Sequence, residues 1–311
     1  VARVLAARGV GVEEATRFLD PTIKDLLPDP STVTDMDVGV ARLADAVERG
    51  ERIALFADYD VDGATSAAVM RRHLAALGLD PIVYVPDRLI EGYGPNPEAI
   101  RGLAERGATL LVTLDCGSTS LEALAEATRA GMDAVVIDHH QVGLELPPAT
   151  AVINPNRHDD LSGLGHLCAC GVAFVVLVAL NRELRRRGVF AGRKEPDLLA
   201  LLDLVALGTV ADVVPLTGLN RAYVVKGLQV ARKRGNVGLA ALSAVARLSG
   251  PMSPYHLGFL IGPRINAGGR IGDAGLGSRL LATDDPVEAE RIAADRSEEH
   301  TSELQSRVDI S

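Results

Sequence analysis

The sequence predicts an α/β fold: a mainly parallel β-sheet flanked by helices. Three observations carry this. Five short apolar runs alternate with helical patterns between residues 53 and 153. The runs are continuously apolar, as expected of strands covered on both faces by helices. Acidic or histidine residues directly follow three of the runs, and in open α/β sheets ligands bind outside the carboxyl ends of the strands.

Taken in order, residues 1–30 read as short helices punctuated by Pro21, Pro28 and Pro30. Residues 35–50 predict an amphipathic helix with Val40, Leu43, Ala44 and Val47 on one stripe. Strands are expected at 53–57, 82–85, 109–114, 134–137 and 151–153, with helices at 64–77, 96–106 and 121–130. Two more helices are expected at 169–187 and 196–207, joined by a polar loop around Arg193. Residues 219–250 read as helical, and Asp285 with Pro286 begins a last helix. No internal repeat is evident.

The 311 residues are 47% hydrophobic and 23% charged, a composition suited to a large core. Aromatics make up 3% and tryptophan is absent, so the core must rest on Ala, Val and Leu. Three cysteines without a CxxC pair point to a reducing, cytoplasmic setting rather than a disulfide framework. Cys168 and Cys170 read as small residues near a helix start, too few donors for structural zinc. No apolar run is long and charge-free enough to span a membrane. A net charge of −9 argues against coating duplex DNA by charge alone.

Asp58, Asp60 and Asp62 alternate directly after the first run and before Gly63. Three carboxylates side by side raise one another's pKa and destabilise the fold unless a cation neutralises them. If the extended backbone persists through Asp62, all three share one face and aim at one or two hard divalent cations. The spacing also opens an EF-hand loop, but its twelfth position is Val69 and a strand pattern precedes it. Asp115 follows the third run, and Asp138, His139 and His140 follow the fourth. The two histidines fit either a hydrogen-bonded loop or a ligand beside a phosphate contact, and the nearby aspartates favour the latter. Asp212 ends an apolar helix, where an acidic residue is common in any case. Arg264, Asn266 and Arg270 lie among glycines, suiting either phosphate binding or a surface loop. Arg88 and Tyr93 follow the second run, in a Gly-rich turn that offers one cation and one aromatic.

The set Asp58-x-Asp60-x-Asp62-Gly63, Asp115-Cys116-Gly117 and Asp138-His139-His140 resembles the signature of the DHH phosphoesterases. Within that superfamily, the segments 18–21, 86–94, 208–216 and 263–270 resemble the RecJ family of single-strand-specific 5′→3′ exonucleases, in order through nearly all of residues 1–280. Ala57, where glycine is common, and Gly268, where alanine is expected, are the departures. The resemblance implies hydrolysis of single-stranded DNA from its 5′ end to 5′ mononucleotides, in DNA repair and recombination. It implies two divalent cations, Mn²⁺ or Mg²⁺. Asp58, Asp60 and Asp115 would hold the first, and Asp62, Asp115, His139 and Asp212 the second, with Asp115 shared. His140 would contact the scissile phosphate and Asp138 would orient a ligand. Arg264, Asn266 and Arg270 would hold the 5′ end, and Arg88 and Tyr93 the first nucleotides.

The implied partners are single-stranded DNA with a 5′ end, a single-strand-binding protein or helicase, and no membrane, for a monomer in the cytoplasm. The expected units are an N-terminal helical segment (1–34), a catalytic domain (35–217) and a helical connector (218–295). Residues 296–311 look like the translation of a sequencing-library adapter. DHH-associated and OB domains would then follow in the natural chain. The alternatives are a DHH hydrolase of short oligonucleotides, cyclic dinucleotides or pyrophosphate, and a non-catalytic DNA-binding scaffold on the same fold.

Overall fold

A computed structural model of the chain describes residues 1–267 and 273–308. Three short helices, α1 (Ala2–Ala7), α2 (Val12–Leu19) and α3 (Ile23–Leu26), lead into α4 (Met36–Arg49). The sheet follows as β1 (Ile53–Ala57), β2 (Ile82–Tyr84), β3 (Leu110–Leu114), β4 (Asp133–Ile137) and β5 (Ala151–Ile153). All pairings are parallel, in the order β2-β1-β3-β4-β5. The intervening helices are α5 (Val61–Ala76), α6 (Pro97–Glu105) and α7 (Leu121–Arg129).

Alternation along each strand divides the core in two. Ile53, Leu55 and Ala57 of β1 face the larger cluster, with Leu43 of α4, Met70 of α5 and Phe174 from the long helix α8 (Ala169–Arg186). Ala54 and Phe56 face the smaller one, with Ile100 of α6 and Leu124 of α7. Both faces of β1 and β3 are therefore buried, which is why these strands are almost wholly apolar.

Beyond α8 come α9 (Leu202–Ala211), α10 (Gly218–Ala231) and α11 (Val237–Val245). Next are α12 (Pro254–His256), a π-helical turn (Leu257–Ile261) and α13 (Gly262–Ala267), then α14 (Leu276–Ala282) and α15 (Pro286–Val308). The last helix crosses the 295/296 boundary without a break. Arg296 is buried there and donates to the Asp273 carbonyl.

Four expectations need correction. The helix expected at 64–77 begins at Val61, because Asp60 caps it by accepting from the Gly63 amide at 2.9 Å. The helix expected at 196–207 starts as a 3₁₀ turn (Leu198–Leu201) and runs as α9 to Ala211. The span 219–250 is two helices, α11 starting anew at its Asn236 cap. The glycine-flanked loop expected around 262–270 is helical through Ala267. No described helix is long and apolar enough to cross a membrane.

Candidate metal centre

The sheet register builds the site. Ala57 pairs with Leu114, Leu114 with Ile137, and Ile137 with Ile153. The ladder continues one step further: the amides of Asp58, Asp115 and Asp138 donate to the carbonyls of Leu114, Ile137 and Ile153 at 3.0–3.1 Å. The residues just past β1, β3, β4 and β5 are thus Asp58, Asp115, Asp138 and Asn154, a polar row along one rim of the sheet.

The aspartate trio reaches this rim differently from the extended arrangement expected. The chain turns at Tyr59, and Asp60 and Asp62 belong to the start of α5. Gly63 is required by this turn, since a Cβ there would lie 2.3 Å from the Asp58 carbonyl oxygen. The carboxylates consequently split between two clusters. Ligand atoms of Asp58, Asp60 and Asp115 lie within 4.8 Å of one another, as do those of Asp62, His139 and Asp212, and those of Asp115, His139 and His140. His139 Nε2 joins the groups, at 3.3 Å from Asp115 Oδ1 and 3.8 Å from both Asp62 Oδ2 and Asp212 Oδ2. Asp212 arrives as the C-cap of α9.

The neighbours hold each donor in place. Asp62 accepts from the Ala169 and Cys170 amides at 2.6 and 2.9 Å, which fixes it to the positive N-terminus of α8. Cys168 caps that helix rather than offering a ligand, accepting from the Gly171 amide at 3.4 Å. The Nδ1–H of His139 is placed to donate to the Leu167 carbonyl at 3.1 Å, leaving Nε2 as a free lone pair. Asp138 accepts from the amides of Ser118, His139 and His140 and from His140 Nδ1. It positions both histidines and is no ligand in the three clusters.

Burial decides the electrostatics. Burial and neighbouring Asp60 push Asp58 up to about 7, and the same two causes push Asp212 up to about 6. Burial drives Asp62 and Asp115 upward too, reinforced by the other aspartates. Burial would also raise Asp138, but hydrogen bonds and charge from His140, with Ser118, bring it down to about 2. His139 is lowered by burial and by its neighbour His140, whereas the hydrogen bond to Asp138 raises His140. Asp58 Oδ1 and Asp115 Oδ1 are buried without any hydrogen-bond partner. Unpartnered carboxylate oxygens cost several kcal/mol or must stay protonated, unless a cation meets them. The donor set, carboxylates with one bare imidazole nitrogen, suits hard to borderline divalent ions.

The remaining expected residues divide. Tyr93 OH donates to the Asp115 carbonyl at 3.2 Å, and its ring meets His140 edge-on at 5.9 Å. Arg88 lies 5.0 Å above the ring of Tyr59, between the first two aspartates. Arg264 turns to the Leu260 carbonyl (2.7 Å) and Ser297 (3.4 Å), and no described contact joins it to a cage donor. Asn266 is exposed, and Arg270 lies outside the described residues.

Several supports escaped the sequence reading. Asn154 Nδ2 donates to Ser118 Oγ and the His140 carbonyl, and Asn156 Nδ2 to the carbonyls of His139 and Gly165. Their signal was their place after the fifth apolar run, equivalent to that of Asp138 after the fourth.

The model of the DHH family, N-terminal domain, matches residues 52–209. The chain belongs to the DHH family. Within the DHH family it is 41% identical over 298 residues to the single-stranded-DNA-specific exonuclease RecJ of Salmonella typhimurium, covering 94% of this chain and 51% of the relative. The chain therefore spans about half the length of that relative. A crystal structure of exonuclease RecJ bound to manganese matches with a TM-score of 0.78 at 37% identity, over 90% of this chain and 68% of that one. RecJ from Thermus thermophilus in complex with Mn²⁺ also matches with a TM-score of 0.78, at 34% identity over 93% of this chain and 40% of that one. Both resemblances extend beyond the DHH segment into the helices that follow it.

Proposed function

We propose that this DHH-family chain carries the catalytic centre of an exonuclease that hydrolyses single-stranded DNA from the 5′ end and releases 5′ mononucleotides. Its cofactors are two divalent cations, Mn²⁺ or Mg²⁺. Asp58, Asp60 and Asp115 hold one; Asp62, Asp115, His139 and Asp212 hold the other. When bound, the ions polarise the scissile phosphate and make water more acidic. The protein's part is positional. Asp115 belongs to both sets, so its placement fixes the spacing between them. The Leu167 carbonyl selects the neutral His139 tautomer with its proton on Nδ1, so Nε2 faces the other donors. His140, oriented by its hydrogen bond to Asp138, would present its ring edge to a non-bridging phosphate oxygen. Arg88 and Tyr93 would meet the first nucleotides, and Arg264, Asn266 and Arg270 would hold the 5′ end.

The carrying observation is the convergence of donors from four separate segments, with buried carboxylate oxygens left unpartnered. The RecJ relatives support single-stranded DNA as the substrate. The catalytic unit is residues 35–217, with 1–34 bracing it and 218–295 carrying the phosphate-binding segment. The reading places the protein in the cytoplasm in repair and recombination, as a monomer acting on strands exposed by a helicase or held by single-strand-binding protein. The test is a nuclease assay on 5′- and 3′-labelled single and double strands, with Mn²⁺ or with chelator. Metal-dependent release of 5′-labelled mononucleotides from single strands is expected. Cleavage confined to dinucleotides or pyrophosphate, or activity that survives chelation, would sink the reading.

A further inference from the structure

Five phenylalanines and five tyrosines are the only aromatic residues of this chain. Three of these rings are exposed: Tyr93 at 53%, Tyr255 at 60% and Phe259 at 68%. Tyr93 is accounted for at the rim. Tyr255 and Phe259 are stacked on each other, with centroids 5.1 Å apart and ring planes 25° from parallel. They stand four residues apart on α12 and the π-helical turn, and so share a side. Glycines let the same segment sit flush against the cage elements. A Cβ at Gly258 would lie 3.3 Å from Val210 Cγ1, and one at Gly262 would lie 3.5 Å from Ala211 Cβ and 3.8 Å from Val61 Cγ2. Val210 and Ala211 form the last turn of α9, which Asp212 caps, and Val61 lies between Asp60 and Asp62. The segment that carries the aromatic pair therefore packs against the last turn of α9, and its continuation into α13 reaches the start of α5.

We infer that Tyr255 and Phe259 form a stacking platform for an unpaired nucleobase of a strand whose phosphodiester lies in the cage. This rests on the reading of the cage proposed above. These two stacked rings are left open to water on a segment that packs against α9, at a cost in hydrophobic free energy. The chain carries a net charge of −9, so a polyanion is not gripped by charge alone. Flat, uncharged rings suit bases of any sequence, which is how sequence-tolerant single-strand binding is achieved. A duplex presents no free base face, so the platform adds a preference for single strands.

The test measures binding of a dye-labelled 12-mer oligothymidylate with phosphorothioate linkages, and of an abasic strand of the same length and linkage, both with Mn²⁺. Tyr255→Ala and Phe259→Ala should each weaken binding of the base-bearing strand by at least about fivefold. Phe259→Tyr should keep it. Binding of the abasic strand, Mn²⁺ affinity and melting temperature should stay at the parent's values. Unchanged affinity for the base-bearing strand in both alanine variants overturns the platform, as does an equal loss on the abasic strand. The latter outcome marks the patch as a protein-docking surface or a structural element instead. If the parent binds neither strand, the reading of the cage fails and the platform with it.

Discussion

Asp115 and His139 each belong to two of the three donor groups, and in the proposed reading Asp115 serves both ions. Its φ is +61°, a left-handed backbone that non-glycine residues rarely adopt and that Asp and Asn tolerate best. That turn follows a strand interior in which every residue is buried, and it points the carboxylate back toward the rim. Local strain of this kind is retained where the surroundings demand one geometry. Asp115→Asn keeps the shape and the backbone preference but removes a buried charge. Without metal it should melt above the parent. With Mn²⁺ it should lose most of the parent's rise in melting temperature, and single-strand hydrolysis should fall by about 100-fold or more. Thermal melts with and without Mn²⁺, alongside the nuclease assay, check this; a variant that is stabilised by Mn²⁺ as strongly as the parent would remove Asp115 from its shared role.

At the level of elements, the cage depends on how closely α5, α8 and α9 approach. Gly208 lies where α9 crosses α5, and a Cβ there would come within 2.5 Å of Thr65 Oγ1 and 2.9 Å of Asp62 Oδ1. Asp62 has no room to retreat, because the N-terminus of α8 holds both of its oxygens. Gly208→Ala should therefore destabilise the fold by about 1–3 kcal/mol and lower the affinity of the ion at Asp62 more than that at Asp58, as read by calorimetric titration with Mn²⁺. Equal losses at both would mean that Asp62 is not displaced. The strands were legible in the sequence because burial on both faces leaves no choice but an apolar run. The turn after β1 was not. Asp58, Asp60 and Asp62 alternate as a strand would, and only the close approach of Gly63 to the Asp58 carbonyl shows that the chain has already entered a helix. That these acidic and histidine side chains lie close together was legible from residue type and, for Asp58, Asp115, Asp138, His139 and His140, from position after the strands; their role as ligands is the reading proposed above. Asn154 and Asn156 were not singled out, because they act on backbone carbonyls and leave no charge pattern.

For the whole molecule, the upward-shifted carboxyls make stability depend on pH, and ions bound among them would make it depend on metal. Asp58 rises to about 7 and Asp212 to about 6, and Asp62 and Asp115 also move upward. In the unfolded chain each titrates near about 3.9. Carboxyls whose folded pKa is raised contribute stability that is fully present below about pH 4 and is lost as pH climbs through the folded values. His139 and the buried His73, both shifted downward, work in the opposite sense below their ordinary value, against the upward-shifted Asp58, Asp62, Asp115, Asp203, Asp212 and His140. The metal-free protein should thus melt at a lower temperature at about pH 7.5 than at about pH 5. Millimolar Mn²⁺ should reverse that order, since an ion bound only by the folded state stabilises it and needs ionised carboxylates. Melts in chelator and in Mn²⁺ at both pH values decide this. Identical curves with and without the ion would exclude a cage of the kind described.

The row formed by Asp58, Asp115, Asp138 and Asn154 is set by ladder position rather than by local sequence. Apolar side chains of similar volume inside β1, β3 or β4 leave the row intact. Loss or gain of one residue within one of those strands would shift its terminal donor by ~3.3 Å and turn it to the opposite face. The sheet can therefore exchange apolar residues of similar volume while its strands stay locked in length, and frame-preserving single-codon deletions there should be far more damaging than such substitutions at the same positions.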